Sequence, residues 1–166
     1  MGKNMAQPFI LIVDDNKITL KLLRKYLEAN GFEVDEAYDG IDCLEKVDAR
    51  KPDAIVLDVM MPRLDGYETV KRLKENSGTS QIPVIIVTAL NDVANQIKSI
   101  DAGADDFLSK PIEEKLLIAK VRLLANWAIE VRRTNCLKDI ISKAIAGEYN
   151  FGGKTLDAVL TDANYK

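Results

Sequence analysis

Short, uncharged, β-branched runs recur along this chain, each followed by a stretch of helical periodicity, and few folds accept that rhythm. Phe9-Ile10-Leu11-Ile12-Val13, Ala54-Ile55-Val56-Leu57 and Val84-Ile85-Ile86-Val87 carry no charge along their length. Such runs read as strands buried on both faces, which is what a parallel sheet requires. Phe32-Glu33-Val34-Asp35-Glu36-Ala37 alternates instead and reads as a strand at or near an edge. Asp106-Phe107-Leu108-Ser109 supplies a fifth.

The intervening segments carry helix signals. Asn16 is placed to cap a helix bearing Ile18, Leu20, Leu22, Leu23 and Leu27, and Asn30-Gly31 ends it. Asp39-Gly40 opens a second helix with Ile41, Leu44 and Val47 on one face. Asp65-Gly66-Tyr67-Glu68 has capping-box spacing and starts a third through Val70 and Leu73. Asn91 is the expected cap of a fourth, bearing Val93, Ile97 and Ile100 and closed by Gly103. Pro111 precedes a fifth, which runs from Glu113 through Trp127 and Val131 with no Pro or Gly before Gly147.

Five β-α units with right-handed crossovers place helices on both faces of one sheet. The expected fold class is α/β: a five-stranded parallel sheet, doubly wound, (βα)5 and flavodoxin-like, with a C-terminal helical extension. The 166 residues divide into an N-terminal tail (1–7), one domain (8–125) and a helical extension or linker (126–166). Leu124, Trp127, Val131, Ile141 and Ile145 fall roughly on a seven-residue repeat, interrupted at Thr134 and Lys138. A coiled coil and a connector to an output domain are its two candidate roles.

Composition removes several function classes. The chain has no His, which excludes Ser-His-Asp and Cys-His machinery and a phosphohistidine of its own. Only Cys43 and Cys136 are present, too few and too far apart for a disulfide scaffold or zinc site. A net charge of -3 argues against a dedicated nucleic-acid surface, so direct nucleic-acid binding is not indicated. No apolar run approaches a bilayer span, and the first runs straight into Asp14-Asp15, so neither a membrane span nor a signal peptide is expected. A cytoplasmic location is the default. Gly152-Gly153-Lys154-Thr155 lacks P-loop spacing from Gly147 and has no preceding strand.

The strand ends carry the chemistry. Open α/β sheets bind ligands at the carboxyl ends of their strands. Here those ends deliver Asp14 and Asp15, Asp58, Thr88 and Lys110 to one rim. Like charges brought together repel, and a hard divalent cation such as Mg2+ resolves the conflict while keeping sites for phosphate oxygens. Lys110 and Thr88 suit a phosphoryl group as cation and hydroxyl donor. Phosphoryl transfer to a carboxylate fits this set, because that nucleophile is already ionised at neutral pH and needs no histidine base.

Leu11-Ile12-Val13-Asp14-Asp15, Val56-Leu57-Asp58-Val59-Met60-Met61-Pro62, Val87-Thr88-Ala89 and Gly103-Ala104-Asp105-Asp106-Phe107-Leu108-Ser109-Lys110-Pro111 together closely resemble the receiver domain of two-component response regulators, the CheY-like family. The resemblance covers roughly residues 8–125. It implies a phosphoacceptor at Asp58, supplied by a sensor histidine kinase or a histidine phosphotransfer protein. It implies Mg2+ held by Asp15 and Asp58, with Asp14 acting through water and Met60 through its carbonyl. Thr88 and Lys110 would contact the phosphoryl oxygens, Phe107 would be the switch aromatic, and Lys110-Pro111 would be cis.

Met60 and Leu90 stand at positions that tune dephosphorylation in the family, and both are apolar, which predicts a long-lived phosphoryl group. On this reading the chain is no enzyme beyond self-phosphorylation from a donor and slow autodephosphorylation. Its last helix resembles those of receivers that form homodimers, with Lys120 or Arg122 pairing across to Asp105 or Asp106. The alternative is a regulatory fragment of a larger effector enzyme, such as a diguanylate cyclase, whose catalytic domain lies beyond Lys166. A dehalogenase-type phosphatase needs an Asp two residues after its nucleophile. Met60 and Asn16 occupy those places.

Overall fold

The computed structural model describes residues 7–89 and 93–145. Strands and helices alternate as expected: β1 (Phe9–Val13), α1 (Lys17–Ala29), β2 (Glu33–Ala37), α2 (Gly40–Ala49), β3 (Ala54–Asp58), α3 (Gly66–Glu75), β4 (Val84–Thr88), α4 (Val93–Asp101), β5 (Asp106–Ser109) and α5 (Glu114–Ile145). The strands form one sheet in the order β2-β1-β3-β4-β5, every pair parallel, with the alternating strand at an edge. This is the doubly wound, flavodoxin-like architecture.

Side chains alternate across a strand, so wholly apolar strands need cover on both faces. Ile10, Ile12, Val56, Ile85, Val87 and Leu108 pack with Leu20, Leu23 and Leu27 of α1 and Leu117, Ile118 and Val121 of α5. On the opposite face Leu11, Val13, Ile55, Leu57, Val84 and Ile86 pack with Cys43 and Val47 of α2 and Val70 and Leu73 of α3.

Three helix starts are built as the sequence suggests. Asn16 accepts the Ile18 and Thr19 amides, Asp39 those of Ile41 and Asp42, and Asp65 that of Glu68. Each satisfies backbone donors that the first helical turn leaves unpaired. Gly31 follows α1 with φ +84°, the left-handed conformation expected there.

Not every apolar helix residue is buried. Ile18 is 79% exposed and Leu22 is also exposed, whereas Leu20, Leu23 and Leu27 are buried. Two residues along a helix turn the side chain by about 200°, so Ile18 and Leu20 cannot share a face. In α2 the core position expected for Ile41 is taken by Cys43, and Ile41 is exposed. In α4, Ile97 and Ile100 are exposed. The cap expected at Asn91 lies outside the described residues.

The chain separates into two compact units, Met1–Ala128 and Ile129–Lys166. The first holds the sheet and the helices that cover it. In the second the described residues are the remainder of α5, which contains neither Pro nor Gly. Among the described residues no helix is long and apolar enough to cross a membrane.

The charged residues expected to pair across a dimer also have partners within the chain. Lys120 Nζ lies 2.6 Å from both carboxylate oxygens of Asp106. Asp105 accepts from Lys74 Nζ and the Val84 amide, each at 2.8 Å. Arg122 donates to the Asn30 carbonyl at 3.3 Å and lies over the Phe32 ring. These partners are near in the folded chain although far apart in sequence.

Candidate functional site

Sheet register assembles the rim. Val13 pairs with Leu57 and Asp58 with Val87, so Asp14 and Asp58 emerge side by side from neighbouring strands. This β1/β3 boundary is where the strand order reverses, leaving a crevice outside the carboxyl ends. Thr88 pairs with Ser109, and the Lys110 amide donates to the Thr88 carbonyl at 2.8 Å. The Lys110-Pro111 bond is cis, as expected.

The acids converge. One carboxylate oxygen from each of Asp14, Asp15 and Asp58 lies within 4.8 Å of the other two. Asp14 and Asp58 are buried, while Asp15 is exposed and leaves the cluster open to solvent. Lys110 Nζ sits 2.7 Å from Asp58 Oδ1 and 3.2 Å from Asp14 Oδ2. The second Asp58 oxygen accepts the Met60 amide at 2.9 Å, and Asp14 Oδ1 accepts the Asn16 amide at 2.8 Å.

Burial pushes the Asp58 carboxyl above its ordinary value. The hydrogen bond and charge of Lys110 oppose that push, and the charge of Asp14 adds to it. Burial pulls Lys110 down, but Asp58 and then Asp14 more than offset it and hold the ammonium above the usual lysine value. Three acids and one ammonium leave the cluster with surplus negative charge. A hard cation with oxygen ligands fits that surplus, and Asp15 supplies a carboxylate on the open side.

The remaining expected residues are placed as follows. Thr88 ends β4 at 4% exposure, beside the Lys110 backbone. Phe107 lies half-buried on β5, paired with Ile86, with Lys120 Nζ 5.9 Å from its ring centre. Met60 is 75% exposed, its amide on Asp58. Leu90 lies outside the described residues.

Three further residues shape the site without carrying an obvious signal. A Cβ on Gly66 would stand 2.4 Å from the Asp58 carbonyl oxygen and 2.9 Å from Val59 Cα, so only Gly lets α3 approach that strand end. Arg63 adopts φ +65° in the loop between β3 and α3. Asp39 holds its guanidinium from the start of α2. The Asp65-Gly66 pair was readable as a helix start, but its packing on Asp58 was not.

Comparison with known proteins agrees with this geometry. The model of the response regulator receiver domain matches residues 10–122. Response regulator MprA of Mycobacterium ulcerans is 39% identical over 150 residues, covering 90% of this chain and 60% of that protein. MprA of Mycobacterium tuberculosis is 39% identical over 156 residues, 93% of this chain and 62% of the relative. The chain thus spans about three-fifths of the length of these curated relatives. Among solved structures, the receiver domain of Francisella response regulator 1452 superposes with a TM-score of 0.68 at 35% identity, covering 72% of this chain and 98% of that one. The signal receiver domain of a signal transduction histidine kinase from Syntrophus aciditrophicus gives 0.68 at 34% identity, covering 72% and 90%. A match across that span, with relatives at that identity, means that this chain belongs to the response regulator receiver domain family of two-component systems.

Proposed function

We propose that Asp58 accepts a phosphoryl group from a phosphohistidine on a sensor histidine kinase or histidine phosphotransfer protein, and that the receiver then relays the signal by changing conformation. The observation that carries this reading is the state of the Asp58 carboxylate. It is 5% exposed, lies against two further acids, and has its oxygens separately engaged by Lys110 and the Met60 amide.

An Asp58 carboxylate oxygen attacks phosphorus, an O–P bond forms, the P–N bond breaks, and its electron pair returns to the imidazole of the donor. Lys110 keeps the carboxylate ionised before transfer and afterwards pairs with the phosphoryl oxygens. Asp14, Asp15, Asp58 and the Met60 carbonyl suit Mg2+, which when bound supplies positive charge to the transferring oxygens. Thr88 offers its hydroxyl to a phosphoryl oxygen, and Phe107 follows that movement as the switch aromatic. The exposed, apolar Met60 disfavours water at the acyl phosphate, so loss of the group is slow.

A small phosphodonor such as acetyl phosphate, with Mg2+, should add one phosphoryl group by intact mass, and Asp58→Asn should add none. Equal labelling of the variant sinks the assignment.

The receiver domain (8–125) acts in the cytoplasm, and residues 126–166 connect it to its output. A homodimer through the last helices is the second element of the reading. Leu116, Leu123 and Trp127 are exposed on α5 at spacings of seven and four, a single helix face.

A further inference from the structure

We propose that Asp39 is a positioning residue for the Asp58 site: by gripping Arg63 it holds a positive-φ γ-turn in the loop after β3, and that turn sets where the Met60 carbonyl stands. Arg63 is the one non-glycine residue with positive φ among the described residues, at +65°. The Leu64 amide donates to the Pro62 carbonyl at 2.8 Å, closing a three-residue turn around it. That hand of γ-turn is rare because an L side chain crowds its own backbone there. Such a conformation persists only where its surroundings impose it.

The surroundings are specific. Arg63 Nε donates to Asp39 Oδ2 at 2.7 Å, and Nη2 donates to the same oxygen. Asp39 is 4% exposed, so the contact is charge-assisted and partly desolvated. Its other oxygen caps α2 through the Ile41 amide at 2.9 Å and the Asp42 amide at 3.0 Å, which fixes the carboxylate. The next residue reinforces the grip: the Gly40 amide donates to the Leu64 carbonyl at 3.3 Å. A Cβ at Gly40 would stand 2.8 Å from that carbonyl oxygen, so the backbones are in direct contact.

The loop is anchored to the site at both ends. The Met60 amide bonds Asp58 Oδ2, and the Gly66 amide bonds the Val59 carbonyl at 2.9 Å. Reversal of φ at Arg63 must therefore be absorbed by the few residues from Met60 to Leu64. Met60 is the one whose carbonyl is read as a cation ligand, so the inference rests on that reading. Without the grip, Arg63 relaxes in the metal-free protein, and Mg2+ binding must drive it back.

The test is Mg2+ titration by calorimetry, with amide hydrogen exchange at Leu64 and thermal unfolding as companions. Asp39→Asn keeps a good helix cap and loses only the charge on Arg63. Its Mg2+ dissociation constant should rise about 5- to 30-fold, the population ratio set by an unfavourable turn of this kind. Leu64 exchange should accelerate while α2 stays protected. Arg63→Ala should match it, since the crowding remains and the grip is gone.

Arg63→Gly should bind Mg2+ within about threefold of the parent, because glycine takes positive φ freely. In that background Asp39→Asn should change nothing further. Parent-like Mg2+ binding by Arg63→Ala overturns the inference, and so does an equal loss from Asp39→Asn with Gly at 63. Failure of the unsubstituted chain to bind Mg2+ overturns the metal reading itself and this inference with it. Binding that survives Asp39→Asn overturns the inference alone.

Discussion

Asp58 is held in a conflict that its neighbours only partly relieve. Burial and then the Asp14 charge disfavour its ionised form, while Lys110 and the Met60 amide favour it, and the balance lies above the ordinary carboxylate value. A carboxyl whose folded value is raised adds relative stability below its unfolded pKa of about 3.9 and loses it as pH rises through the folded value. In EDTA, Asp58→Asn should therefore melt higher than the parent at pH 7, and the gap should close by pH 3. Thermal melts at the two pH values check this, and a variant that melts lower at pH 7 contradicts the charge balance. Lys110 keeps Asp14 at 3.2 Å, so the substitution does not strand it. The convergence of these residues was legible because each stands at the end of a strand segment. The direction of the Asp58 shift was not, because it depends on distances between three strands.

At the scale of elements, caps and periodicity were readable because they are local. Asn16, Asp39 and Asp65 each satisfy amides two or three residues on. Core faces were less readable: Ile18, Ile41, Ile97 and Ile100 are apolar yet exposed, since the choice of face depends on what lies beneath the helix. Gly66 shows the same limit. In a free helix Gly→Ala stabilises by about 1 kcal/mol. Here the added methyl would meet the Asp58 carbonyl oxygen at 2.4 Å, and overpacking costs about 1–3 kcal/mol. Gly66→Ala should lower stability in denaturant titration and slow phosphorylation of Asp58. A variant that is more stable than the parent rules out the close approach of α3 to β3.

The whole molecule couples the site to folding, because the acids meet only when β1 and β3 are paired. A ligand that binds the folded chain alone stabilises it by mass action, about 2.7 kcal/mol at a hundredfold excess over the dissociation constant. For a chain of this size that is roughly 5–10 °C in Tm. Mg2+ should produce such a rise, EDTA should reverse it, and Asp15→Asn should abolish it, all by calorimetric melting. An equal rise in Asp15→Asn places the cation elsewhere.

Five strand segments, the helix caps and the chemical strand endings were determined by residue order alone, because strand burial, helix period and capping act within a few residues. The order β2-β1-β3-β4-β5, which sets Asp14 beside Asp58, exists only once all the strands pack. The same holds for Lys120 on Asp106, Gly66 against Asp58 and Asp39 on Arg63. Those contacts join segments separated by 8 to 24 positions in ways that no period encodes. Their energies come from close approach and shared burial, which tertiary structure alone creates.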